Sequence, residues 1–259
     1  MDEEMLPGDS DLFVEPDDYY VPAKEGTEAT HTLLSGGQLT VSLVGHNPLW
    51  VSFKGHLLWN AGRVVSTYLE RRSESLVKDS NVLELGAGAG LPSLVCAISG
   101  AKIVVVTDYP DSELVENLRQ NIARCKLLPA QETVYAEGYL WGAPCERLTS
   151  HIEDPEKGFD LLILADLLFN HSEHAKLLLT VQKTLKRSSE SKALVFFTPY
   201  RPWLLEKDLA FFDLAREGGF TVQKVLEYLM DKVMFEEDRG DETQRRTVYG
   251  YELQWKDVP

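Results

Sequence analysis

VLELGAGAGLPSLV, residues 82–95, is the stretch from which the rest of the chain is read. Val82 to Leu85 form an apolar run, Gly86, Gly88 and Gly90 follow at alternate positions, and Leu91 opens a segment of helical spacing. Glycines in such a turn let the backbone approach a ligand, because no Cβ intervenes. Taken alone, a G-x-G-x-G turn is also compatible with a purely structural tight turn. Its flanks add information. Glu84 stands two residues before the first glycine, and the third glycine comes one position earlier than in the dinucleotide fingerprint G-x-G-x-x-G. A carboxylate so near the loop repels a pyrophosphate and attracts the ammonium of an amino-acid-like ligand, directly or through water. This favours S-adenosylmethionine over NAD.

Downstream, short apolar runs alternate with helical stretches. KIVVVTD (102–108), ETVYAEG (132–138), FDLLILADLLF (159–169) and KALVFFTPY (192–200) read as strands, with helices over 90–99, 111–125, 171–187 and 205–217. That order predicts an α/β fold, a doubly wound and mostly parallel sheet with helices on both faces. The last two β-rich runs, 219–230 and 245–255, are separated only by the charged loop DKVMFEEDRGDETQ. Too short for a helical crossover, that loop predicts an antiparallel pair at the sheet edge. Upstream, LLSGGQLTVSLV (33–44) alternates apolar and polar residues after a Gly36-Gly37 turn and reads as a β-hairpin. Between the hairpin and the glycine loop, Leu58, Ala61, Val65, Tyr68 and Leu69 recur at helical spacing. Residues 1–26 read as an acidic tail, and 27–259 as one domain with the hairpin and first helix at 27–77.

The 259 residues are 44% hydrophobic and 26% charged, a composition that supports a packed core and excludes fibrous and low-complexity classes. A net charge of −15 argues against a nucleic-acid backbone as direct partner and favours a basic protein. Residues 1–20 carry eight of the acids and no base. With acids where a signal peptide carries lysines, and no apolar stretch near the roughly 18 residues of a membrane span, the expectation is a soluble, cytoplasmic protein. Cys96, Cys125 and Cys145 form no C-x-x-C pair, so neither a zinc site nor a disulfide framework is expected.

Asp108 ends the second strand, 22 residues beyond Gly86, where an acid can accept hydrogen bonds from ribose hydroxyls; with Pro110 following, it also fits a helix N-cap. E-L-G-A-G-A-G (84–90) with V-T-D-Y (106–109) resembles the first two motifs of class I, seven-β-strand methyltransferases. N-P-L-W…H-L-L-W-N-A-G (47–62), G-Y-L-W-G (138–142) and A-D-L-L-F-N (165–170) are similar to the family that methylates protein lysines, in particular the fungal elongation factor 1-alpha N-terminal and lysine methyltransferases. The resemblance implies a seven-stranded Rossmann-like sheet, S-adenosyl-L-methionine as cofactor, and translation elongation factor 1-alpha as the basic protein substrate. It further implies that Trp59 lines the cofactor pocket, Gly86, Ala87 and Gly88 approach the methionine part, Asp108 holds the ribose, Trp141 flanks the adenine and Ala165 packs near the sulfonium. Without the resemblance, Trp59 also fits a core position, whereas Trp141 in a Gly-flanked loop is a good stacking surface for adenine.

Methyl transfer to nitrogen needs an aligned, neutral amine more than strong acid or base catalysis. At pH 7, neutralising a lysine costs roughly 4–5 kcal/mol and an α-amine about 1 kcal/mol, which makes an N-terminal amine the easier substrate. Asp166, at the carboxyl end of the fourth strand, is the candidate that orients the amine and takes or relays its proton; its plainer reading is a strand end. Members of the family more often carry D-x-x-Y here, and Phe169 stands in place of the tyrosine, with Tyr200 as an alternative hydroxyl. His171 and His174 suggest a metal, but Asn170 with Glu173 reads more simply as a helix capping box. The competing functions are N-methylation of a small molecule such as nicotinamide, a non-catalytic binding module, and NAD-dependent oxidation.

Overall fold

The computed structural model describes residues 27–44 and 58–258. The acidic tail and the N-P-L-W motif therefore lie outside the described residues. The chain begins with two antiparallel strands, β1 (Glu28–Thr32) and β2 (Gln38–Ser42), in which Thr30 faces Thr40. Helix α1 (Asn60–Arg71) follows, with Trp59 at its N-cap. The β/α alternation then runs through β3 (Asn81–Leu85), α2 (Leu91–Ile98), β4 (Ile103–Asp108), α3 (Ser112–Arg124), β5 (Val134–Gly138), α4 (Glu146–Thr149), β6 (Leu161–Ala165), α5 (His174–Thr184), β7 (Lys192–Phe197) and α6 (Leu205–Glu217). It ends in β8 (Phe220–Leu229), the short α7 (Glu242–Arg245) and β9 (Thr247–Trp255).

The main sheet has seven strands in the order β5-β4-β3-β6-β7-β9-β8, parallel except for β9, which is antiparallel to both neighbours. From β3 the chain winds outward to β4 and β5, then returns to the other side of β3 as β6 and β7. The strand order therefore reverses between β3 and β6, and a crevice at the carboxyl ends of such strands is where ligands bind in open α/β sheets.

Strand alternation builds a core on each face. Val82, Val104, Val106, Ile163, Leu194 and Phe196 pack with the hairpin, α1 and α2. Leu83, Leu85, Val105, Leu164, Val195 and Phe197 pack on the other face with α5 and α6. Being buried on both sides is why these strands read as continuous apolar runs.

Two expectations are corrected. Asn170 and Glu173 do not form a capping box: the Asn170 side chain makes no cap bond and instead accepts from the Ser172 hydroxyl at 3.2 Å, while Glu173 pairs with Lys176 at 2.9 Å. His171 bonds Asp208 at 2.6 Å and His174 bonds the Leu168 carbonyl at 2.8 Å, so tertiary partners order this turn. Likewise Asp108 does not cap α3; Asp111 does, accepting from the Glu113 N–H at 2.9 Å.

The hairpin is tied to the glycine loop by Asn121 of α3, which is 2% exposed. Its Oδ1 accepts from the Ser42 N–H at 2.7 Å, and its Nδ2 donates to the Ser42 and Ala89 carbonyls at 2.8 and 3.0 Å. Asn121→Ala strands these buried groups, so urea unfolding should show a loss of about 2–3 kcal/mol. A loss within about 0.5 kcal/mol would mean that the tie contributes nothing.

Candidate active site

The glycine loop is latched to β4 at three points. The Ala87 N–H donates to the Thr107 carbonyl at 2.9 Å, the Thr107 hydroxyl to the Glu84 carbonyl at 2.8 Å, and the Gly88 N–H to Asp108 Oδ2 at 2.6 Å. Gly86 and Gly88 both have positive φ, at 60° and 58°. Their surroundings differ. A Cβ on Gly86 would lie 2.6 Å from Leu167 Cδ2 and 3.3 Å from Trp141 Cζ2, whereas one on Gly88 would meet nothing within 4 Å. Gly86 is thus where the loop presses on Leu167 and Trp141, and Gly88 faces open space. A backbone cradle of this kind, with an acid beside it at the end of the second parallel strand, fits a nucleoside with an amino-acid tail.

Glu84 lies beneath the loop. It is 1% exposed, and its Oε2 accepts both the N–H (2.9 Å) and the hydroxyl of Ser93 in the first turn of α2. The first-turn N–H groups of a helix have no partner within it, and here a buried carboxyl takes one of them. Burial pushes the Glu84 carboxyl up to about 8, against the Ser93 bonds that lower it. Through those two bonds this side chain shapes the loop from below.

Asp108 keeps a half-buried place beside Gly88, with Oδ1 accepting from the Tyr109 N–H at 2.6 Å. Trp141 is half-buried against Gly86, its loop held by the Gly142 N–H donating to the Thr180 hydroxyl at 2.8 Å. Ala165 is the last residue of β6, paired with Phe196. Asp108 and Ala165 end β4 and β6 on either side of β3, and Trp141, past the end of the edge strand β5, reaches in to Gly86.

Asp166 follows at once with φ of 56°, a conformation asparagine and aspartate tolerate better than most residues. It is 6% exposed and is held on three sides. Oδ2 accepts from the Ala61 N–H of α1 at 2.8 Å, Oδ1 from the Thr198 N–H at 2.8 Å, and the Tyr200 hydroxyl lies 3.3 Å from Oδ2. Burial pushes its carboxyl up to about 7, opposed by these hydrogen bonds. Burial and the neighbouring Asp166 push the Tyr200 hydroxyl up as well, so it stays protonated. Such a pair combines a proton acceptor titrating near neutrality with a fixed donor.

Trp59 stands on the Asp166 side of the crevice. Its ring lies parallel to Phe169 at 6.1 Å and meets Tyr200 and Phe235 edge-on at 4.9 and 5.6 Å. The sequence missed Phe235, Asn121 and the N–H of Ala61. Phe235 belongs to a loop read only as a charged connector, although an aromatic ring among acids was a signal. The histidines do not gather into a metal site; among the described residues no group of three His, Cys, Asp or Glu side chains is placed to hold an ion.

Fold and crevice together define a methyltransferase of the doubly wound kind. The chain belongs to the lysine methyltransferase family, which matches residues 50–217. It is 49% identical, over 98% of this chain and 96% of the relative, to the protein N-terminal and lysine N-methyltransferase efm7 of Aspergillus fumigatus. The protein of the same name from Neurospora crassa is 50% identical, over 94% of this chain and 87% of its own length. Among solved structures, P. horikoshii TYW2 in complex with MeSAdo shares the fold, with a TM-score of 0.52 and 16% identity over 89% of this chain and 72% of that one.

The buried Glu84 carboxyl makes stability pH-dependent. Its folded pKa lies above the ordinary 4.5, so the folded state holds the extra proton between about 4.5 and 8. Stability from this group is full below that window and is lost as pH rises through it. Glu84→Gln keeps an oxygen for both Ser93 bonds and has no proton to lose. Urea titrations should find it more stable than wild type at pH 8, with the difference shrinking toward pH 5; parallel curves would contradict the assignment.

Proposed function

We propose that this chain is an S-adenosyl-L-methionine-dependent protein N-methyltransferase that modifies the N-terminal glycine and the adjacent lysine of translation elongation factor 1-alpha in the cytoplasm. The observation that carries the chemistry is Asp166, a buried carboxyl just past β6, the strand next to β3, held by the Ala61 and Thr198 N–H groups and the Tyr200 hydroxyl. Gly86, Ala87 and Gly88, with Glu84 beneath them, would hold the cofactor's methionine part, Asp108 its ribose, Trp141 its adenine, and Ala165 the region near the sulfonium, with Trp59 lining the pocket. Bound there, the cofactor supplies an electrophilic methyl group to a neutral amine.

The remaining work falls to this chain's own residues. The Asp166 carboxylate accepts a hydrogen bond from the incoming ammonium and takes its proton, leaving the nitrogen lone pair free. An α-amine with a pKa near 8 gives its proton to a carboxylate at about 7 at a cost of about 1 kcal/mol, whereas a lysine near 10.4 costs roughly 4–5 kcal/mol. The N-terminal amine is therefore the first target. The Tyr200 hydroxyl stabilises the ionised carboxylate, and the surrounding rings keep water from competing for the proton. A chain of net charge −15 suits a basic protein substrate and disfavours direct contact with nucleic acid. The relatives' printed activities, protein N-terminal and lysine methylation, agree with this reading. Among the described residues no helix is long and apolar enough to cross a membrane.

Incubation with labelled cofactor and either the elongation factor or nicotinamide tests the substrate, with mass spectrometry locating the label. Label on the factor's N-terminus is expected; label confined to nicotinamide would sink the proposal. For Asp166→Asn, kcat should fall about 100-fold or more, with cofactor affinity within twofold of wild type. The wild-type kcat should also climb with pH through about 7, a limb absent from the variant. Unchanged turnover would remove Asp166 from the mechanism.

A further inference from the structure

The loop joining β8 to β9 is a strap fastened at both ends. Across its base the Met230 N–H donates to the Arg246 carbonyl at 2.8 Å, and Arg246 Nη1 reaches back to the Asp231 carbonyl at 3.2 Å. Within it, the buried Arg245 guanidinium donates through Nη1 to the Phe235 carbonyl at 2.7 Å and through Nε to the Gly240 carbonyl at 3.3 Å. Gly240 lies so near Pro202 that a Cβ there would be 3.0 Å from the proline ring. Two arginines thus fix the strap's own backbone, and Gly240 rests on Pro202 in the turn that follows β7.

That fastening delivers one ring to the site. Phe235 meets Trp59 at 5.6 Å and 72°, and Tyr200 at 5.4 Å and 63°; Trp59 meets Tyr200 at 4.9 Å and 72°. The Tyr200 hydroxyl lies 3.3 Å from the neighbouring Met234 Sδ and equally 3.3 Å from Asp166 Oδ2. Three rings from separate parts of the chain, each steeply inclined to the next, therefore meet beside the buried carboxylate. Phe169 extends this surface outward, parallel to Trp59 and 43% exposed. Apolar packing alone would not call for an acid at its base. An acid flanked by inclined aromatic rings suits a cation, because the ring faces are electron-rich and the carboxylate balances the charge. Methylated ammonium groups, poorly hydrated and broad, suit such faces best.

We propose that Phe235, carried on the β8–β9 strap, is a specificity-determining residue of the amine site: with Trp59 and Tyr200 it holds the substrate ammonium and its methylated forms through the ring faces. The proposal rests on the amine-methyltransferase reading above. It goes beyond that reading by placing one wall of the amine site in a segment outside the matched family region, which ends at residue 217.

The test uses the full chain with a short peptide bearing a free N-terminal glycine. Two inhibitors share that peptide's sequence, one capped with trimethylglycine and the other with its neutral carbon isostere, 3,3-dimethylbutanoyl. Calorimetry on the wild type should show about tenfold tighter binding of the cationic cap. Phe235→Leu keeps apolar bulk for packing but removes the ring. It should lose that preference to within twofold and raise KM for the free peptide about tenfold, while S-adenosylmethionine affinity stays close to wild type. Phe235→Tyr should restore the preference. Equal affinity of the two caps for the wild type, or an undiminished preference in Phe235→Leu, would overturn the proposal even if the peptide is methylated. A wild-type enzyme that methylates neither this peptide nor any protein would overturn the protein-amine reading and this inference with it.

Discussion

At 6% exposure, the Asp166 carboxylate must find its hydrogen-bond partners inside the protein, and it finds them on two other elements. The Ala61 N–H in the first turn of α1 and the Thr198 N–H just beyond β7 converge on its two oxygens. One carboxyl group therefore fixes where α1 begins relative to the ends of β6 and β7. Trp59, the N-cap of that helix, and Tyr200, two residues past Thr198, are placed by the same bonds. The raised pKa of Asp166 and the contacts that position the surrounding rings share one origin: a carboxyl buried enough to raise its pKa and satisfied enough to stay buried.

The glycine-loop side of the crevice follows a similar rule with different atoms. Acidic groups there support backbone from behind: Glu84 receives Ser93 at the start of α2, and Asp108 receives the Gly88 N–H. Asn121 carries the same tie out to the hairpin, so β1 and β2 belong to the support of the glycine loop rather than forming a separate ornament. Tyr68 performs the corresponding task at the far end of α1, donating to Glu252 of β9 at 3.0 Å, while Lys192 of β7 pairs with the other carboxylate oxygen at 3.0 Å. Polar groups that are buried and fully engaged specify geometry where apolar packing alone would tolerate sliding.

Most of the fold was legible because its signals are local. The apolar runs at 82–85, 103–108 and 161–165 are strands buried on both faces, and the antiparallel edge pair follows from the shortness of the loop at 231–244. Local signals misled where two local rules competed for one residue. Asn170 and Glu173 have capping-box spacing, yet His171 bonding to Asp208, 37 residues away in sequence, sets that turn. Asp108 precedes Pro110 as a cap would, yet Asp111 is the cap and Asp108 faces the glycine loop. Distance along the chain also said nothing of how deeply Glu84 lies, and burial is what raises its pKa.

By itself the sequence determined the order of the elements, the position of the glycine loop and the acids that end the strands, since each depends on residues within a few positions of one another. Only the tertiary structure decided how deeply each of those acids is buried, which groups each one meets, and that Phe235, from the far end of the chain, stands beside Trp59 and Tyr200. The physical reason is that pKa and ring geometry are set by neighbours brought together across the sheet, and those neighbours are chosen by packing rather than by adjacency.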